Sequence, residues 1–171
     1  MLKLALKMIA RRSLSLGRQR ILIEAIARHL TSVGRQRIIL DREGKEPYLE
    51  RYYLLFKEQY KNCPFNALLH RPLVSDPEGL HDHPWNWGSF ILAGGYWENT
   101  PEGRFWRGAG SFRFRRATAL HRLEIDIEKA GGDTWTLFFV GDRHREWGFL
   151  DPEKGWVHWE QHLQERQKDS P

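Results

Sequence analysis

The sequence predicts an all-β barrel or sandwich preceded by a helical extension, and three observations lead to this prediction. After Gly44 the chain becomes a series of short apolar and aromatic runs separated by turn residues. These runs recur roughly every 8–12 residues, a spacing typical of sandwiches and barrels. The clearest helical periodicity lies earlier, in residues 18–31, and therefore places a helix ahead of the strands.

Length and composition limit the classes of protein. The 171 residues suffice for one domain with its own core, and a hydrophobic fraction of 40% is too high for a disordered chain. No apolar run approaches the roughly 20 residues of a membrane-spanning helix. The one cysteine, Cys63, excludes an intrachain disulfide and a cysteine-rich zinc module. We therefore expect a cytoplasmic protein.

The positive charge is concentrated near the N-terminus. A net charge of +5 would suggest a nucleic-acid binder. However, residues 1–40 hold nine basic residues and one acidic residue, which gives this segment a net charge of +8. Residues 41–171 are therefore at −3, and they hold all eight tryptophans. A slightly acidic body argues against nucleic acid as a partner, because phosphate binding needs positive charge.

Residues 1–34 are predicted to form a basic helical extension. Residues 1–12 are amphipathic and free of acidic residues. They fit a loosely docked helix, a targeting or membrane-surface element, or an extension that the domain does not need. Gly34 is a suitable stop for the helix over 18–31. The apolar residues of that helix recur at helical spacing and predict one face, formed by Leu22, Ile23, Ile26, Ala27 and Leu30.

The barrel domain is predicted over residues 35–165. Its predicted strands are, in chain order, 37–40, 48–56, 65–71, 88–93, 95–99, 111–115, 119–126, 134–140 and 145–149. Glycine-containing segments between several of these strands predict turns. Residues 157–166 are predicted to form a short helix.

His81 and His83 flank Asp82 and form the most informative pair of histidines. Residues i and i+2 of an extended strand project from the same face, so both imidazoles can reach one metal ion. The alternative is two surface histidines on a loop. His121 is a third candidate, since it shares a strand face with Leu123. Its alternative is a hydrogen-bonded histidine of the core.

These residues resemble the motifs of the cupin superfamily. The first cupin motif reads G-x5-H-x-H-x3-4-E-x6-G, and His81, His83 and Gly95 stand at the matching positions. The second reads G-x5-P-x-G-x2-H-x3-N, and counting from Gly110 places His121 at the histidine position. The resemblance covers roughly residues 48–150. It implies a single double-stranded β-helix, or jelly-roll barrel.

The sequence also departs from the cupin motifs. The opening glycine position holds Ser75, and the glutamate position holds Gly88. The second-motif proline, glycine and asparagine positions hold Arg116, Thr118 and Ile125. The chain therefore resembles a divergent branch that carries HDHPW, GGYWE, LHR and REWGF. Glu98 of GGYWE either supplies a metal ligand from the neighbouring strand or forms a cross-strand salt bridge.

The expected cofactor is a divalent transition metal held by His81, His83 and His121, with or without Glu98. Imidazole and carboxylate ligands suit iron(II), zinc, manganese, nickel or copper and disfavour calcium. Iron(II) is favoured, because its open coordination positions would allow substrate and dioxygen to bind together.

The expected ligand is a small, anionic molecule, because arginine side chains bind carboxylate or phosphate groups through paired hydrogen bonds. Each arginine candidate can alternatively be a solvated surface charge, and each tryptophan can be core or pocket wall. The substrate-binding candidates are Arg113, Arg115, Arg145, Trp97 and Trp147.

The favoured function is an iron(II) dioxygenase acting on this molecule. The alternatives are a non-catalytic cupin that binds or senses a small ligand, and a zinc, manganese or nickel isomerase or lyase. The sequence contains no nucleophile elbow, P-loop or dinucleotide-binding glycine motif. Because cupins pair through their sheets, the resemblance also implies a homodimer.

Overall fold

The structure, a computed structural model, describes residues 2–41, 44–57, 64–77 and 79–169. Cys63 lies outside the described residues, and so do the side chains on which the amphipathic character of residues 1–12 depends. In this part of the chain the strands are β1 (Gln36–Leu40), β2 (Pro47–Tyr53), β3 (Phe65–Pro72), β4 (Trp87–Ala93), β5 (Gly95–Thr100), β6 (Gly103–Gly108), β7 (Phe112–Arg115), β8 (Arg122–Ile125), β9 (Trp135–Gly141), β10 (Gly148–Asp151) and β11 (Gly155–His158). The helices are α1 (Leu2–Ser32), α2 (Ile127–Ala130) and α3 (Trp159–Asp169).

The strands form antiparallel sheets, as the sequence predicts. The largest sheet has six strands in the order β1-β2-β3-β9-β4-β7, and a second sheet has three in the order β6-β5-β8. Strands β10 and β11 form a separate hairpin. Residues from both larger sheets line one cavity, so the sheets enclose it between them. This is the barrel that the strand spacing and the cupin motifs predict.

Cross-strand register determines which side chains meet inside the barrel. Arg51 on β2 pairs with His70 on β3, and His70 pairs with Thr136 on β9. Ser89 on β4 pairs with Phe138 on β9. Because opposite residues of an antiparallel pair project from the same face, these five side chains share one face. All five line the cavity.

Helix α1 is longer than the predicted helix over 18–31, because it begins at Leu2. Its C-terminal half packs on the six-stranded sheet, where Ile23, Ala27 and Leu30 join Tyr52 and Trp135 in a buried cluster. Three of the five apolar residues predicted to form its face are thus buried. The other two, Leu22 and Ile26, remain 62% and 42% exposed, so the buried stripe is narrower than predicted.

Arg20 joins α1 by hydrogen bonds to the end of α2 and to the segment between α2 and β9. Its guanidinium donates to the backbone carbonyls of Asp133, at 2.6 Å, and Ala130, at 3.2 Å. The helix ends before Gly34, whose φ of +68° is a left-handed conformation that favours glycine. The division of the chain at residue 34 stays a prediction, although α1 contributes side chains to the core of the barrel.

Two strands were absent from the prediction. Residues 103–108, read as GRFWRG, form β6, because each pairs with β5 although two arginines interrupt the apolar run. Residues 155–158 form β11, and the predicted helix over 157–166 begins only at Trp159. Backbone pairing with an adjacent strand decides both cases, and such pairing is tertiary context that local sequence does not report.

The motif glycine Gly95 has a packing role at the start of β5. A Cβ atom there would lie 2.6 Å from the carbonyl oxygen of Arg107 and 2.6 Å from the Trp106 ring. The preceding Gly94 has a φ of +70°. Only glycine allows β5 and β6 to pair this closely at the end of the hairpin where Gly95 lies opposite Gly108.

Among the described residues, no helix is both long enough and apolar enough to cross a membrane.

Candidate metal centre and cavity

His81 and His121 are brought together by a backbone bridge. The N–H of His81 donates to the carbonyl of His121, and the N–H of His121 donates back, both at 2.9 Å. His81 also forms an isolated bridge with Phe149, at the start of the C-terminal hairpin. The segment that holds His81 and His83 therefore lies between β8 and β10, and its position is fixed by main-chain hydrogen bonds on both sides.

The three imidazoles predicted to converge do so. His81, His83 and His121 each offer a ligand atom, and these atoms lie within 4.8 Å of one another. The Nε2 atoms of His83 and His121 are 2.8 Å apart. The ring centroid of His81 lies 5.3 Å from that of His83 and 5.0 Å from that of His121. Three imidazole nitrogens in this arrangement are a donor set that suits a first-row divalent metal.

An aromatic ring packs against two of the three histidines. The Trp87 ring lies 4.7 Å from the ring of His121 and 5.3 Å from that of His83. Burial, together with the neighbouring His121 and His81, holds the pKa of His83 well below its usual value. His83 is therefore neutral near pH 7, which is the form in which imidazole binds metals.

Glu98 lies on the far side of His121 from His83. Its Oε1 is 3.6 Å from Nδ1 of His121, a distance longer than a normal hydrogen bond, while Nε2 of His121 faces His83. Its Oε2 accepts from Arg107 at 2.8 Å and from Arg115 at 3.1 Å. Burial alone would raise the pKa of Glu98, but His121, Arg107 and Arg115 lower it to about 2. The structure therefore forms the cross-strand ion pairs, and Glu98 is not among the three residues whose ligand atoms converge.

Asp82, between the two motif histidines, is buried, and both of its carboxylate oxygens accept hydrogen bonds. Its Oδ1 accepts from the backbone N–H of Gly148 at 2.7 Å. Its Oδ2 accepts from Arg145 at 2.5 Å and from the indole N–H of Trp156 at 2.9 Å. Asp82 therefore connects the His81–His83 segment to the C-terminal hairpin. The structure thus places Arg145, a substrate-binding candidate, in an ion pair with the buried Asp82.

The histidine cluster opens into a cavity of about 410 Å³ between the two sheets. This volume falls in the range of small-molecule pockets. The walls are mostly aromatic and apolar, with a few polar groups. Its lining includes Tyr48, Arg51, His70, Asp76, His81, His83, Trp85, Trp87, Ser89, Tyr96, His121, Phe138 and Trp147.

Of the five substrate-binding candidates, Trp147 lines this cavity. Arg115 is held by Glu98, and Arg113 is exposed and donates to the carbonyl of its neighbour Phe112. Trp97 packs against Trp106 and beneath Arg104 on the three-stranded sheet. The structure therefore brings one of the predicted candidates to the cavity wall and places the others in contacts elsewhere.

Among the described residues, Arg51 is the arginine that lines the cavity, and no prediction from the sequence named it. Its Nε donates to Nε2 of His70 at 3.0 Å, and the His70 ring stacks on Phe138 with centroids 4.9 Å apart. Burial and the adjacent Arg51 hold the pKa of His70 well below its usual value. The sequence did contain an indication of this role. Arg51 shares a strand face with Leu49 and Tyr53, so it is a charged residue on a face that is otherwise apolar or aromatic.

The fold is similar to solved structures of low sequence identity. The polyketide cyclase RemF from Streptomyces resistomycificus matches with a TM-score of 0.50 and 13% identity, over 63% of this chain and 75% of that chain. A protein of unknown function with a cupin-like fold from Ralstonia eutropha matches with a TM-score of 0.50 and 11% identity, over 78% of this chain and 82% of that one.

A third match comes from structures of the DMSP lyases RdDddP and RnDddQII. It has a TM-score of 0.50 and 11% identity, over 68% of this chain and 62% of that chain. No protein-family model matches the sequence, and no curated protein matches it significantly. At these identities the similarities show the fold alone. The chain has a cupin-like fold, as its motifs predict.

Proposed function

We propose that this cupin-like barrel is a metal-dependent enzyme of the iron(II) dioxygenase type, acting on a small molecule. One observation carries the proposal: three histidines from two separate parts of the chain converge on the wall of an aromatic cavity of about 410 Å³. Outside a metal site, two imidazoles at 2.8 Å would gain little more than one hydrogen bond, whereas their burial removes several polar atoms from water.

His81, His83 and His121 would hold the metal. Their fit rests on the donor chemistry, since the three ligand atoms come from imidazoles alone and lie within 4.8 Å of one another. Iron(II) suits this set, and so do zinc, manganese, nickel and copper. A bound iron(II) ion would supply redox chemistry toward dioxygen and substrate.

The remaining residues of the site would prepare the cavity for this chemistry. Trp87 holds the rings of His83 and His121 in place. Glu98 lies 3.6 Å from Nδ1 of His121, and in the metal-bound protein a hydrogen bond between them would orient the ring and increase the basicity of its other nitrogen. Trp85, Trp87 and Phe138 line the cavity and would exclude water from a bound substrate.

The test begins with metal content. Wild-type protein purified without chelator should hold about one equivalent of a transition metal, whereas His81→Ala and His121→Ala should hold much less. The matched control is His144→Ala, because His144 is exposed and lies outside the cluster. A wild-type protein without stoichiometric metal would exclude both the dioxygenase and a metal-dependent isomerase or lyase.

Oxygen uptake separates the remaining functions. With iron(II) bound, the wild type should consume dioxygen when a screen of small organic acids reaches a substrate, and His121→Ala should not. Stoichiometric metal with substrate turnover but no oxygen uptake would indicate an isomerase or lyase. Ligand binding without turnover would indicate a binding or sensing protein.

A further inference from the structure

We propose that Arg51 binds a carboxylate group of the substrate, so that the cavity selects organic acids with a flat apolar body. This inference deepens the proposed function, because it assigns a substrate class to the same cavity. It concerns a residue that is distant in sequence from the histidine motifs.

Arg51 is positioned as a binding group on the cavity wall. It lies on β2 opposite His70, and both side chains line the cavity. Its Nε donates to Nε2 of His70 at 3.0 Å. Neutral His70 accepts this hydrogen bond and orients the guanidinium, whose Nη atoms are the pair that bind a carboxylate through two parallel hydrogen bonds.

Arg51 also differs from other arginines in its partners. Arg107 and Arg115 each form an ion pair with Glu98, and Arg145 forms one with Asp82. No carboxylate within the described ranges forms an ion pair with Arg51. Burial lowers the pKa of Arg51, and the neighbouring Tyr53 offsets this effect only in part. A cation removed from water without a counter-charge is costly, and an anionic ligand would supply that charge.

Among the described residues, two carboxylates lie on the cavity wall, and both accept hydrogen bonds from other groups. Asp76 accepts hydrogen bonds from the hydroxyl of Tyr48 and from the backbone N–H of Leu123, the latter at 2.6 Å. Asp41 accepts from the backbone N–H of Lys45 at 2.8 Å. These hydrogen bonds hold each acid in its own turn or strand connection, and neither acid forms an ion pair with Arg51.

A wall of rings connects Arg51 to the histidine cluster. The His121 ring lies 4.7 Å from that of Trp87, and Trp87 stacks on Phe138 at 5.6 Å. Phe138 in turn stacks on His70, which contacts Arg51. A substrate with its carboxylate on Arg51 would therefore lay a flat apolar body along Trp87 and Phe138, with its far end toward the histidines.

The experiment titrates the wild-type protein with phenylacetate and 3-phenylpropanoate, and with the amide of each, following tryptophan fluorescence and calorimetry. Each carboxylate should bind at least about tenfold more tightly than its amide, because charge-assisted hydrogen bonds are stronger than neutral ones. Arg51→Met should remove this preference and leave both the amide affinity and the metal content unchanged. Arg143→Met is the matched control, since Arg143 lies on the surface in an exposed ion pair.

A second variant separates Arg51 from the metal as the group that holds the carboxylate. His121→Ala should lose metal yet keep its preference for the carboxylates. Loss of the preference in His121→Ala but not in Arg51→Met would overturn the inference. Equal binding of acids and amides by the wild type, or binding of neither, would overturn it too. Metal content and oxygen uptake report on the proposed function separately, so the two failures are distinguishable.

Discussion

The arginines that face inward fall into two groups with different surroundings. Arg107, Arg115 and Arg145 each contact a buried carboxylate at 3.1 Å or less. Arg51 instead contacts a neutral histidine and lines the cavity. The paired arginines neutralise acids that support the histidine cluster. The difference indicates that pairing, rather than residue type, separates arginines that hold the barrel together from one that is available to a ligand.

The acids of the paired group, Glu98 and Asp82, support the histidine cluster from two sides. Glu98 lies against the outer nitrogen of His121. Asp82 lies between His81 and His83 in sequence and contacts the C-terminal hairpin. Each of these carboxylates is at most 3% exposed and requires a cationic partner. The paired arginines thus act on the histidine cluster through the two acids that support it.

The largest effect expected from this comparison concerns Arg145. Arg145→Met leaves Asp82 buried without its cation, and breaking a buried pair in this way costs about 3–5 kcal/mol of unfolding free energy. Urea denaturation followed by circular dichroism measures this change. Arg143→Met removes an exposed pair with Glu146 and should cost less than about 1 kcal/mol. Equal costs for the two variants would contradict the structural role of Arg145.

Glu98→Gln tests how the paired group acts on the metal. Loss of a carboxylate that orients a ligand histidine lowers metal affinity about 10–100-fold. Competition with a metallochromic chelator measures this affinity, and His121→Ala sets the level for loss of a ligand. A loss as large as that of His121→Ala would make Glu98 a ligand itself. An unchanged affinity would reduce its role to the cross-strand ion pairs.

The partner of Arg51 gives the barrel a pH dependence. His70 remains neutral in the folded protein, because its pKa is well below its usual value, whereas the unfolded chain takes up a proton below about pH 6.5. Folding stability should therefore fall as the pH falls below that value. Between pH 8 and pH 5.5 the wild type should lose about 1.4 kcal/mol more than His70→Gln. Parallel pH profiles for the two proteins would show that folding does not lower the pKa of His70 and would contradict this prediction.

The smallest effect should come from Arg51 itself. Arg51→Met removes a cation that lacks a carboxylate partner and replaces it with an apolar side chain of similar length. The free energy of unfolding should therefore change by less than about 1 kcal/mol, or rise. The same urea titration checks this value beside Arg145→Met. A cost of 3 kcal/mol or more would place Arg51 with the structural arginines.

The sequence could predict the histidine cluster because two short motifs contain all three of its residues. His81 and His83 are two residues apart, and His121 follows at the spacing of a known motif. The strands from β2 to β9 were predictable from short apolar runs, with the exception of β6. That strand forms because every one of its residues pairs with β5, and its own composition does not indicate this.

The arginines could not be assigned in the same way, since their roles depend on partners far along the chain. Arg115 meets Glu98 across 17 residues, and Arg145 meets Asp82 across 63. Side-chain alternation predicts a face, but it does not say whether that face carries a counter-charge. Arg51 and Arg145 therefore look alike in sequence, although one lines the cavity and the other forms an ion pair with the buried Asp82.

The contacts that assemble the histidine cluster also bear on how the protein folds. His83 meets His121 across 38 residues, and Asp82 meets Gly148 across 66. Closing such long loops costs entropy before the contacts return any stability, so this region should form late in folding. Bound metal should then slow unfolding and leave the refolding rate unchanged, which stopped-flow measurements with and without metal can show. The metal would therefore stabilise the barrel after it has folded and would not take part in the folding step that limits the rate.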